Sequence, residues 1–144
     1  MRDAGLVELT AVHVNHQLNP AADAWARFCR TLCRGYGIPL SVKKVEVKRG
    51  NSLEAAARAA RYGVFAGIKC EALVLAHNQD DQVETLLLQL LRGSGVKGVS
   101  AMPEFRIEKP ALLRPLLDVP RSEIVAYARA RKLALIAAHR AHAP

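Results

Sequence analysis

Cysteine is scarce: Cys29, Cys33 and Cys70 are the only three in 144 residues. An odd, sparse set argues against a disulfide framework and for a reducing compartment. No Cys-x-x-Cys spacing occurs. Cys29 and Cys33 stand four apart, with Trp25, Phe28 and Leu32 nearby, and read as small buried hydrophobes of one helix face rather than a metal pair. Aromatics are thin as well. The first 60 residues hold only Trp25, Phe28 and Tyr36, which leaves no evident stacking platform for single-stranded nucleic acid. No apolar run approaches the roughly 20 residues of a membrane helix, and Met1 to Gly5 lacks signal-peptide architecture. A cytoplasmic protein without a membrane partner is expected. Acidic residues are outnumbered, 13 Asp and Glu against 21 Lys and Arg, for a net charge of +8. That surplus favours a polyanionic partner, nucleic acid foremost, and equally suits a merely soluble basic protein. There is no internal repeat and no low-complexity segment beyond the alanine-rich end.

Hydrophobic content of 51% with 24% charged residues is that of a globular chain long enough to bury a core. Its most informative stretch is Leu73-Val-Leu-Ala-His77-Asn78-Gln-Asp80-Asp81-Gln-Val-Glu84-Thr85. Leu73 to Ala76 is aliphatic and non-alternating, which suits a strand buried on both faces of a parallel sheet. Asn78 fits an N-cap, with Asp81 in the first helical turn. Val83, Leu86, Leu87, Leu90 and Leu91 then recur at helical spacing, predicting a helix from about Gln79 to Leu91. Asp80 and Glu84, four apart, and Asp81 and Glu84, three apart, put the acids on one face. A strand's carboxyl end followed by a helix amino end is where open α/β sheets bind ligands. Three acids there suit a divalent cation or a cationic substrate; ordinary helix-start chemistry accounts for any one of them alone.

The remaining pattern alternates. Leu6 to Val14 reads as a strand ending at Asn15-His16, with His13 and His16 flanking its exit. Ala22 to Arg34 reads as an amphipathic helix closed by Gly35 and Gly37. Leu40 to Val47 is an exposed, lysine-bearing strand. Leu53 to about Ile68 is an alanine-rich helix with Asn51 or Ser52 as cap. On it Arg58 follows Glu54 by four residues, which allows either a surface ion pair or arginines facing phosphate. Arg92-Gly93-Ser94-Gly95-Val96-Lys97-Gly98 is a loop whose glycines and flanking cations suit an anion. Pro115, inside Leu112 to Leu117, argues against a central strand there. Arg121 to Arg131 reads as a basic amphipathic helix, and residues 137–144 as an unstructured tail. The sum is α/β: a doubly wound, mostly parallel sheet.

Five elements stand in one order: His13-Val-Asn15-His16-Gln-Leu18; Glu54-Ala-Ala-Ala-Arg58-Ala-Ala-Arg61-Tyr62; Ala76-His77 to Thr85; Arg92-Gly-Ser-Gly95; and Arg114-Pro-Leu-Leu117. The series resembles the catalytic domain of the tRNA(Ile)-lysidine synthetases, in the N-type ATP pyrophosphatase (PP-loop) superfamily. It runs from about Leu9 to Leu135. The His-x-x-Asp-Asp-x-x-Glu-Thr element alone is shared with tRNA-thiolating enzymes, whose cysteine pair the Cys29 and Cys33 spacing does not match. The resemblance implies a Rossmann-like, adenine nucleotide alpha-hydrolase-like fold over residues 1–136. It also implies a reaction. ATP adenylates the C2 oxygen of the wobble cytidine of tRNA(Ile), and lysine's amine then displaces AMP. On this view Asp81, Glu84, Arg58 and His77 are catalytic, and Arg58, Arg61 and His13 bind ATP. Asp80, Asp81, Glu84, Arg92 and Arg114 bind L-lysine or tRNA, and Asp81 is the candidate ligand for Mg²⁺. The family's Ser-Gly-Gly-x-Asp-Ser loop does not occur in this sequence. The expectation is therefore a domain truncated at its amino end, with a non-catalytic tRNA-binding remnant as the alternative to an active ligase.

Overall fold

The computed structural model describes residues 7–47, 52–91, 93 and 100–136. The chain divides into two compact units, Met1–Ile68 and Lys69–Pro144.

The first unit runs β1 (Ala11–Asn15), α1 (Ala22–Gly35), β2 (Leu40–Lys44) and α2 (Leu53–Ala66). β1 and β2 pair in parallel, Ala11 opposite Leu40 and Asn15 opposite Lys44. Parallel strands need a crossover, and α1 provides it. Asn19 starts that helix by accepting the Ala21 N–H on its side chain at 2.8 Å and the Ala22 N–H on its carbonyl at 2.9 Å. Ala22 and Ala26, one turn apart, form its buried stripe. At its end Gly37 takes φ +67°. The Ile38 N–H reaches Cys33 O at 2.9 Å and the Gly37 N–H reaches Arg34 O at 3.1 Å, a Schellman closure. Gly35 is the helix's last residue rather than its stop signal. α2 is capped by Ser52, whose Oγ accepts the Ala55 N–H at 3.2 Å.

The second unit runs β3 (Ala72–Val74), α3 (Gln79–Leu91), β4 (Phe105–Arg106), β5 (Ala111–Leu113) and α4 (Arg121–Ala130). Its sheet has the order β3-β5-β4, with β3 parallel and β4 antiparallel to β5. The α/β class and mostly parallel pairing read from the sequence hold, with the described strands falling into two sheets. Two expectations need correction. β3 is not buried on both faces: Val74 is 58% exposed, and among the described residues the strand is paired only on its β5 side. Pro115 does not exclude a central strand either. β5 is the central strand, and it ends at Leu113, two residues before the proline whose missing N–H would have broken the ladder. The buried apolar positions of this unit are Leu112, Leu117 and Ala128. The tail at 137–144, Arg92 and the loop positions 94–98 lie outside the described residues.

α4 closes like α1 but without glycine. The Leu133 N–H reaches Ala128 O at 2.8 Å and the Lys132 N–H reaches Arg129 O at 3.0 Å, with Lys132 at φ +53°. A side chain in that left-handed well is strained by about 1 kcal/mol. Lys132→Gly is therefore expected to stabilise the second unit by roughly 0.5–1 kcal/mol. Urea unfolding checks it; an unchanged or lowered midpoint refutes it.

Candidate functional site

In the first unit the His-Val-Asn-His element occupies β1 and its exit. Asn15 is only 2% exposed, and both ends of its amide are engaged. Its Nδ2 donates to Asp23 Oδ1 at 2.9 Å, and its Oδ1 accepts the Gln17 N–H at 2.9 Å. Asp23 in turn meets Lys44 Nζ at 3.2 Å. The turn after β1 is thus tied to α1 and β2, with Gln17 held at φ +56°. Satisfying both ends of a buried amide fixes its backbone. Sequence reasoning passed over Asn15; its place between two histidines at a strand exit was the available signal.

His13 and His16 are half-buried. His13 Nδ1 lies 3.7 Å from Cys29 Sγ on α1, and burial pushes the imidazole below its ordinary value of 6.5. His16 is also lowered, by burial first and then by the charges of Arg61 and His13, and its buried Nδ1 has no hydrogen-bond partner among the described residues. The structure thus brings Arg61 to bear on the β1 exit. Unfolding returns both imidazoles to ordinary values, so between those values and the lowered folded ones the unfolded chain binds more protons. Stability is therefore full above pH 6.5 and is lost as pH falls through that window, with a slope set by at most two protons. The carboxyl of Asp23, held below its ordinary 3.8 by its hydrogen bond and attraction to Lys44, gives up its contribution only at lower pH. Urea midpoints between pH 8 and 5 should fall, and fall less in a His13→Gln, His16→Gln chain; equal slopes would refute the assignment.

Arg58 does not pair with Glu54. Among the described residues it faces no carboxylate within ion-pair distance. Instead its Nη2 donates to Tyr62 Oη at 3.4 Å, and its guanidinium sits 5.1 Å from the Tyr62 ring centre. Tyr62 is braced edge-on by Phe65, with ring centres 5.7 Å apart. An exposed guanidinium stacked on an aromatic and free of acids keeps its charge for an incoming anion.

In the second unit β3 leads through His77 to Asn78, and here the capping expectation is realised in full. Asp81 N–H donates to Asn78 Oδ1 at 3.2 Å, and Asn78 N–H donates to Asp81 Oδ2 at 2.9 Å, a reciprocal capping box. Thr85 Oγ1 donates to the Asp81 carbonyl at 2.8 Å. Asp80 turns to the other helix. α4 begins at Pro120 without a side-chain cap, and Asp80 Oδ1 accepts the Arg121 N–H at 3.1 Å. Gln79 N–H likewise donates to Val119 O at 3.1 Å. The starts of α3 and α4 are thereby fastened together, and a carboxylate at a helix amino end is electrostatically favoured. Glu84 is half-buried. An open groove of ≈ 580 Å³ is lined by Asp80, Val83, Glu84, Leu87, Leu88 and Arg121.

Two residues outside the predicted set hold the region together. Gln82 donates from Nε2 to Met102 O at 2.8 Å and accepts the Met102 N–H at 2.7 Å. Gln89 accepts the Ser100 N–H at 2.9 Å. Both pin the segment that follows the glycine-rich loop onto α3. Arg114 is placed inside the unit at 2% exposure. Its Nη1 donates to Pro103 O at 2.8 Å, while its buried Nε has no partner among the described residues. Arg92 lies outside the described residues. No group of three or more His, Cys, Asp or Glu among the described residues is arranged to hold a metal. No described helix is long and apolar enough to cross a membrane.

A family profile described as PP-loop domain matches residues 1–138. The chain is 49% identical over 136 residues to a tRNA(Ile)-lysidine synthase of Nitrosomonas europaea, covering 90% of this chain and 30% of that protein. It is 51% identical over 130 residues to the protein of that name in an Azoarcus species, covering 87% and 29%. The one in Pseudomonas aeruginosa is 49% identical over 135 residues, covering 92% and 30%. The chain therefore spans about 30% of the length of these curated relatives.

Proposed function

The chain belongs to the PP-loop domain family, and from that premise we propose that it is the catalytic-domain portion of a tRNA(Ile)-lysidine synthetase, an ATP-dependent carbon–nitrogen ligase of the cytoplasm. The observation that carries this reading is identity of about half over nine-tenths of the chain with proteins of that name. The local geometry supports it from both units.

In the first step the C2 oxygen of the wobble cytidine of tRNA(Ile) attacks the α-phosphorus of ATP, and pyrophosphate leaves. Arg58, oriented by Tyr62 and free of carboxylates, neutralises charge on the phosphates, with Arg61 and His13 as the other phosphate-side groups. In the second step lysine's amine attacks C2, the C2–oxygen bond breaks and AMP departs. Asp81 and Glu84 are the carboxylates for holding the ammonium and accepting its proton, and His77, three residues past β3, is the group for contacting the cytidine or the adenylate. Asp80, already capping α4, lines the groove with Glu84. Two acids beside the aliphatic surface of Val83, Leu87 and Leu88 suit lysine's charged head and methylene stem. Arg92 is the group for the tRNA backbone, and Arg114, at 2% exposure, serves as a support for the segment around Pro103. The surplus positive charge serves tRNA binding.

Mg²⁺ fits in a limited way. Asp81 commits one oxygen to the Asn78 N–H, and no cluster of three ligands surrounds it among the described residues. Magnesium is commonly held by one or two carboxylates plus substrate phosphates, so the donor set suits an ion arriving with ATP, where it supplies charge neutralisation. The test is transfer of labelled AMP to a cytidine-anticodon tRNA(Ile), and of labelled lysine thereafter, by a version extended to the relatives' full length. Lysidine formation is expected, and no turnover by the extended protein overturns the proposal.

A further inference from the structure

We propose that Cys29 is a positioning residue that fixes His13 as a neutral imidazole carrying its hydrogen on Nε2. The geometry is the 3.7 Å approach of Cys29 Sγ on α1 to His13 Nδ1 on β1. One atom of that pair must donate. A thiol is a weak acceptor, whereas the bare nitrogen of a neutral imidazole is a good one. Donation from S–H to Nδ1 is therefore the favoured direction, and it leaves the hydrogen on Nε2. Burial keeps both partners in the required state. It lowers His13, so the ring is neutral near pH 7, and it raises the Cys29 thiol, with Cys33 adding in the same direction. A protonated thiol is poorly nucleophilic, which makes Cys29 a donor rather than a reactive group.

The scaffold around the pair is suited to holding such a contact. β1 is locked in register with β2 by the ladder from Ala11–Leu40 to Asn15–Lys44. α1 is tied to the β1 exit through Asn15 and Asp23. The consequence deepens the proposed function and rests on it: His13 offers an N–H donor to an oxygen of the nucleotide and cannot serve as a base through Nε2. The second atom of a histidine is commonly set by what the first one bonds, and here the setter is a cysteine that sequence spacing read only as core filling.

The test is long-range proton–nitrogen NMR on the ¹⁵N-labelled chain near pH 7.5, reading the two His13 nitrogens. The expected wild-type spectrum shows a pyrrole-like Nε2 and a pyridine-like Nδ1. Cys29→Ala should lower the ratio of Nε2–H to Nδ1–H forms by roughly twofold, the equilibrium weight of a hydrogen bond from a weak thiol donor. Cys29→Ser, which keeps a donor, should restore it. A wild-type spectrum dominated by Nδ1–H, or a ratio unchanged by Cys29→Ala, overturns the inference. If the alanine variant does not fold, the wild-type spectrum still decides the tautomer, and Cys29→Val, which removes the donor while keeping the volume, decides its dependence on a donor. No ligand enters this readout, so its failure leaves the ligase reading standing, and failure of AMP transfer leaves the tautomer standing.

Discussion

Under the proposed ligase function, Asp81→Asn in a full-length version of this protein is expected to lower lysidine formation by about 10²–10⁴-fold, the usual worth of a positioned acid–base group, with little loss of folding stability. Two jobs meet on this carboxylate. Its Oδ2 accepts the Asn78 N–H at 2.9 Å and so closes the capping box of α3, while its charge is what the proposed ligation chemistry calls for. Asparagine keeps an acceptor oxygen at that position and discards the charge. Asp81→Ala discards both, and should add about 1 kcal/mol of destabilisation, the typical worth of a capping contact. The two variants thus separate the roles: equal activity loss with unequal stability loss. Turnover measured with labelled lysine, beside urea unfolding, reads both quantities. An Asp81→Asn protein that retains near-normal turnover would reduce Asp81 to a helix cap and move the proton-accepting role to Glu84.

That overlap of roles explains how much of this protein is legible in its sequence. Helices announce themselves locally. Asn78 followed by Asp81 spells a capping box, Gly37 spells a left-handed stop, and α3 runs over the predicted Gln79 to Leu91. Strand pairing is decided by distant partners instead. β4 is only Phe105–Arg106, too short for any periodicity, and β5 was obscured by a proline that falls just after it. An aliphatic run does not say what covers a strand's faces either, so Val74 is exposed where the pattern predicts burial. Apolar spacing on α3 likewise identified a helix without identifying a cover: Val83, Leu87, Leu90 and Leu91 are all more than half exposed.

The candidate site divides along the same line. The acids were legible because three of them crowd one turn of sequence. What each acid touches was not, because the Arg121 N–H that Asp80 accepts is 41 residues away. Arg58 shows the opposite case. Spacing offered Glu54 as its partner, but the ion pair of an exposed helix surface is worth only a few tenths of a kcal/mol. A tyrosine one turn on, itself braced by Phe65, supplies stacking and a hydrogen bond together. So small a local preference is easily displaced, and its displacement leaves the guanidinium available to phosphate.

Arg114→Ala is expected to destabilise the second unit by about 2–4 kcal/mol, although nothing in the sequence marked this arginine as interior. Three terms compete. Removing a long side chain at 2% exposure leaves a cavity, and large-to-Ala changes in cores cost roughly 2–5 kcal/mol. The Pro103 carbonyl, which accepts from Nη1 at 2.8 Å, is left without that donor, at about 1–3 kcal/mol. Against these stands relief from holding a guanidinium out of water, where its Nε has no partner and no carboxylate lies within ion-pair distance among the described residues. For alanine the cavity and the orphaned carbonyl outweigh that relief. Arg114→Met tips the balance differently, because it keeps much of the volume while removing the charge. Methionine orphans the Pro103 carbonyl as alanine does, but it leaves little cavity and removes the buried charge. Apolar replacements of buried charges are often neutral or better, so the methionine variant should stay within about 1 kcal/mol of the parent. Urea unfolding of the two variants decides it, and an Arg114→Ala chain as stable as the parent would mean that the arginine is no clamp. Activity of the full-length Arg114→Met protein completes the assignment. A stable variant that still makes lysidine leaves Arg114 as a support of the β5 turn, whereas a stable variant that does not would make its charge a ligand for the substrate.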